Sequence, residues 1–112
     1  MANHPITITG INPSNNSLIL SDNGNTHVDP GDTVTWNIGQ HSGVGSITAI
    51  TDNNGSTDVF NPDPAPVGGS SNWRGTINPN IARGITETYT IWWLPSVGTD
   101  LFRYDPVIQV NN

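Results

Sequence analysis

The side chains able to do chemistry in this chain of 112 residues fall into three groups. The first is a turn-rich run, Asp52-Asn53-Asn54-Gly55-Ser56-Thr57-Asp58, in which Asp52, Asn54 and Asp58 offer the carboxylate and amide oxygens that calcium takes as ligands. The spacing differs from the helix-flanked calcium loop, which closes on a Glu. Asp and Asn also serve turns by bonding to their own backbone, so turn-making accounts for the same residues. The second group is aromatic. Trp73, beside Arg74, follows a flexible stretch, and Trp92 is placed on a Thr-lined strand face. An exposed ring among neutral hydrogen-bonding groups suits a sugar, whose C–H faces are apolar and whose edges carry hydroxyls. Single exposed apolar residues are also ordinary and need no function. The third group is the imidazoles of His4, His27 and His41, where His41, one other His and Asp105 would make a copper or zinc site. No His-x-His spacing supports it.

Catalysis has less to stand on. Glu87 is the sole Glu and lies in mid-strand, and neither a Ser-His-Asp arrangement nor a carboxylate pair can be singled out. A non-enzymatic role is expected.

Composition narrows the partners. Three Arg, no Lys and nine acids give a formal charge of -6, which disfavours nucleic acid and anionic membranes, both of which need basic groups. With no Cys there is neither a disulfide nor a thiolate metal site, so type 1 copper is excluded. Charged residues are only 11%, and Asn, Thr, Ser and Gly carry much of the surface chemistry, as in many secreted and sugar-binding proteins. No stretch reaches the ~18 apolar residues of a membrane span. The start Met1-Ala2-Asn3-His4-Pro5 lacks the regions of a signal peptide, which implies a mature chain or export by another route. An extracellular or cell-surface location is expected.

These groups must be held by strands, because period-two alternation recurs along the chain and no helix-period segment occurs. Ile6–Ile11, Ser17–Ser21, Gly45–Thr51, Trp73–Ile77, Ile85–Trp93, Leu101–Tyr104 and Val107–Val110 read as strands. Asn23-Gly24 is a hairpin signal, because both residues tolerate positive φ. The central strand starts after the Pro30-Gly31 turn, with Val34, Trp36 and Ile38 on one face and Thr33, Thr35 and Asn37 on the other. Trp36 and Trp93 fit core positions, as do Tyr89 and Ile91. Asn61–Ser71 is rich in Pro and Gly, cannot hold a central strand, and reads as a surface loop with a role. Residues 1–112 form a single domain, an antiparallel β-sandwich.

The phrase Pro30-Gly31-Asp32-Thr33-Val34-Thr35-Trp36, followed by His41, resembles the equivalent strand of the cupredoxins, Greek-key β-sandwiches related to plastocyanin and azurin. The likeness extends from Ile6 to Val110. It implies a cupredoxin-like fold, with His41 matching the first copper ligand. The family's Cys, second His and Met would follow in a loop before the last strand, where this chain reads Phe102-Arg103-Tyr104-Asp105-Pro106-Val107-Ile108-Gln109-Val110 and Asp105 stands in place of the Cys. The fold is carried over and the electron-transfer chemistry is not.

The leading expectation is a small carbohydrate-binding protein, a lectin, assisted by calcium, with Trp73, Arg74 and Trp92 contacting a saccharide or cell-surface glycan. A second is a self-associating structural or surface protein, a homo-oligomer, since no Lys guards the sheet edges. A third is a His-based copper or zinc binder.

Overall fold

Alternating side chains, interrupted by Pro, Gly and Asn, dictate short strands, and ten of them form among the described residues. The computed structural model describes residues 2–53 and 58–112. In chain order the strands are β1 (Asn3–Ile11), β2 (Leu18–Leu20), β3 (Asn25–Val28), β4 (Thr33–Ile38), β5 (Val44–Asp52), β6 (Ala65–Pro66), β7 (Trp73–Thr76), β8 (Thr86–Pro95), β9 (Phe102–Tyr104) and β10 (Val107–Val110). One sheet has the order β2-β1-β4-β7-β6, and the other has the order β3-β10-β8-β5 with β9 also paired to β8. Among the described residues no helix is long and apolar enough to cross a membrane.

The expected all-β architecture is present, but the sheets are mixed and not purely antiparallel. β1 runs parallel to β4, with Ile6 beside Trp36, and β10 runs parallel to β3, with Ile108 beside Thr26. Parallel neighbours are joined through intervening chain and not by a tight turn, so local turn signals carry no trace of them. The Asn23-Gly24 turn shows the same limit. Both residues take positive φ, 59° and 80°, as their types require. The turn nevertheless closes no hairpin, because β2 and β3 belong to different sheets.

The core lies between the sheets. Ile6, Ile8, Val34 and Trp36 from the first sheet face Tyr89, Ile91, Trp93, Ile108 and Val110 from the second, all of them almost fully buried. Trp36, Phe60 and Tyr89 meet as an aromatic cluster with centroids 5.7 to 6.2 Å apart. β7 reaches this layer closely because Gly75 has no side chain: a Cβ there would stand 2.8 Å from the Phe60 ring. The Pro-rich loop contributes only the two-residue edge strand β6, in keeping with the lack of a donor N–H on Pro.

Candidate functional site

Two neighbouring features converge on the end of β5 and the outer face of β8. The first is acidic. Asp52 is the last residue of β5, opposite Tyr89 in register. Asp58 is fixed by its own backbone, its Oδ1 accepting from the Phe60 amide at 3.0 Å. Phe60 is in turn buried and bridged to Ile77, so the segment is anchored from below. Asp63 comes from the Pro-rich loop and lines, with Ile50, Thr51, Asp52 and Pro64, a hollow of about 210 Å³. Carboxylate oxygens of Asp52, Asp58 and Asp63 all lie within 4.8 Å of one another on the exposed surface.

Beneath them stands Glu87. It has no exposure at all, its Oε1 accepts from the Val59 amide at 2.9 Å, and its Oε2 has no hydrogen-bond partner among the described residues. Burial pushes its carboxyl up to about 8; the Val59 amide opposes the rise, and the Asp52 and Asp58 carboxylates add to it. Asp58 is raised too, first by burial and then, against the pull of the Phe60 amide, by Asp52 and Asp63. No Arg pairs with the group: among the described residues the ion pairs are His4 with Asp32 and Arg83 with Asp29. Of the calcium ligands expected from sequence, Asp52 and Asp58 come together, while Asn54 lies outside the described residues. Asp63 and Glu87 are additions to that expected set. The parity of β8 carries the signal for Glu87, since it shares its face with Tyr89, Ile91 and Trp93. Nothing local marks Asp63, which a long loop delivers.

The second feature is the Trp92 shelf. Trp92 lies half-buried on the outer face of β8, its Nε1–H donating to Thr51 Oγ1 at 3.0 Å. Arg103, opposite it on β9, holds its guanidinium 5.8 Å from the ring centroid. This pair forms a ridge between two open hollows. One, of about 500 Å³, is bordered by Asn15, Asn16, Leu101 and Phe102. The other is bordered by Thr51, Asp52, Asn53 and Thr90, and so adjoins the acidic group through Asp52.

Trp73 and Arg74 do not join this surface. They sit on β7 in the other sheet, where Trp73 is half-buried against the core and Arg74, exposed, points its Nε–H at Thr35 Oγ1 at 3.5 Å. The alternation of β7 explains this, because Gly75 and Ile77 are buried and Trp73 shares their parity. The imidazoles are dispersed as well. His4 bonds to Asp32 at 2.7 Å and His27 is exposed on β3. His41 occupies the β4–β5 turn, whose Gly43 carbonyl accepts from Ser96, whereas Asp105 accepts from Thr90 Oγ1 at 2.7 Å. The extended chain from Thr90 along β8 to Ser96 just past its end separates those two anchors by about 20 Å. Compared with protein-family models and with curated proteins, the chain matches none.

Proposed function

We propose that this chain is a non-enzymatic saccharide-recognition module acting outside the cell, with Trp92 and Arg103 at its centre. The observation that carries this reading is the Trp92 indole, pinned by Thr51 on an outer sheet face and flanked by hollows whose rims offer amides, hydroxyls and one guanidinium. A pyranose can lay its C–H face on the indole and Leu101 while its hydroxyls bond to Asn15, Asn16, Asn53 or Arg103. The rigid strands on both sides of Trp92 mean that little ordering entropy is lost on binding. The scaffold is read as cupredoxin-like: the Pro30–Trp36 phrase supplies the central β4, with Trp36 in the core.

Self-association is the second reading. It draws on the β2 edge, where Ile19 is 47% exposed, and on the absence of Lys. Against it, the long edge strand β5 is interrupted by two irregularities in register, a device that discourages edge-to-edge pairing.

A glycan-array screen with the wild type and Trp92→Ala tests the proposal. Saccharide binding in the wild type and its loss in a variant that keeps its thermal midpoint within a few degrees is the expected result. A blank array for the wild type, with light scattering that rises with protein concentration, would replace recognition by self-association.

A further inference from the structure

Three exposed carboxylates drawn within 4.8 Å of one another repel, and among the described residues no cationic side chain pairs with them. An acidic cluster alone is common on surfaces. This one has a second feature beneath it: Glu87 is wholly buried, its carboxyl lies within hydrogen-bonding reach of the like-charged Asp52 carboxylate, and its Oε2 meets no donor among the described residues. A buried, unpaired carboxylate oxygen is costly and calls for a partner. A cation held by the three Asp side chains would meet both needs at once, relieving their repulsion and satisfying Glu87 Oε2.

We infer that Asp52, Asp58 and Asp63 bind a divalent cation of the calcium class, with Glu87 as the ligand on the buried side. The donors are all hard oxygens, with neither imidazole nor thiolate among them, which points to calcium or magnesium and away from zinc or copper. Calcium fits better of the two. Its six to eight ligands can be mono- or bidentate and irregularly placed, as suits carboxylates arriving from a strand end, a loop and a buried strand, whereas magnesium demands near-ideal octahedral geometry. The ion would tie the Asp63 loop to β5 and β8. This site stands apart from the saccharide reading, although Asp52 borders both.

The test is thermal unfolding of the full chain in chelator, in 1 mM calcium and in 1 mM magnesium, for the wild type, Asp63→Asn, Asp58→Asn and Glu87→Gln, with calcium affinity from calorimetry. Calcium should raise the wild-type midpoint by at least ~5 °C, because an ion that binds only the folded state adds to its stability. Asp63→Asn, at an exposed position, should fold normally in chelator and lose most of that rise. Glu87→Gln should fold at least as well as the wild type in chelator and bind calcium about tenfold or more weakly. A wild type indifferent to calcium, an equal rise with magnesium, or a rise that survives in both Asp63→Asn and Asp58→Asn would overturn the inference. No sugar is present in these measurements, so their failure and a blank glycan array are separate outcomes.

Discussion

Trp36, on β4 of one sheet, donates its indole N–H to the phenol oxygen of Tyr89, on β8 of the other, at 3.1 Å in the centre of the core. Both residues are at most 1% exposed, so neither can find water instead. The bond fixes how the sheets are seated as well as holding them together. It also places Glu87 one step along the same face of β8. Tyr89→Phe keeps the ring and removes the acceptor, leaving a buried donor unpaired. We expect a loss of about 1–3 kcal/mol, read as a lower urea midpoint with an unchanged slope.

Glu87 gives the chain a pH dependence in cation-free buffer. Its folded value of about 8 is above the ordinary 4.5, so between these values the native state holds a proton that the unfolded chain releases. Stability from this group is therefore full below about 4.5 and is lost as pH rises towards 8. Glu87→Gln cannot ionise. In chelator, the variant's midpoint should gain on the wild type across that window and the difference should level off above pH 8; a constant difference would show that Glu87 ionises normally.

Asp32 acts in the opposite sense. Burial would raise its carboxyl, but the His4 ring together with the Asp29 and Ala2 amides outweighs it and holds the group below the ordinary 3.8. The stability so gained is present above 3.8 and disappears as pH falls through the folded value. Asp32→Asn should cost about 1–3 kcal/mol at neutral pH, since it weakens three hydrogen bonds: two, from the Ala2 amide and the His4 ring, tie the start of β1 to the turn before β4, and the third, from the Asp29 amide, closes that turn. Chemical denaturation at pH 7 and at pH 2 to 3 checks this, with the gap between variant and wild type narrowing in acid.

Gly75→Ala should be destabilising by about 1–3 kcal/mol through overpacking. The new methyl group would stand 2.8 Å from the Phe60 ring and 3.1 Å from Pro64, on either side of Asp63 in the chain. Its calcium response should therefore weaken along with its midpoint, and an unchanged response would separate the loop's position from the packing beneath it.

Much of this protein was written locally. The alternation of Val34, Trp36 and Ile38, or of Tyr89, Ile91 and Trp93, is enough to choose strand over helix and to name core residues, because a side chain's face follows from its parity alone. The same parity sends Trp92 outward and Glu87 inward. The positive φ of Asn23 and Gly24 also follows from residue type. Tertiary structure decided the rest. Strand partners depend on closures between distant segments, so the parallel pairing of β1 with β4 and the assignment of β2 and β3 to different sheets have no local signature. Trp73 shares its parity with buried Gly75 on β7 and with buried Ile77 just past it, and so turns towards the core, away from the shelf on the other sheet. Asp63 reaches Asp52 and Asp58 only because Phe60 is buried against Trp36 and Tyr89, which brings the Pro-rich loop back over the end of β5. A carboxylate cluster assembled from a strand end, a turn and a loop is a property of packing, and packing alone could reveal it.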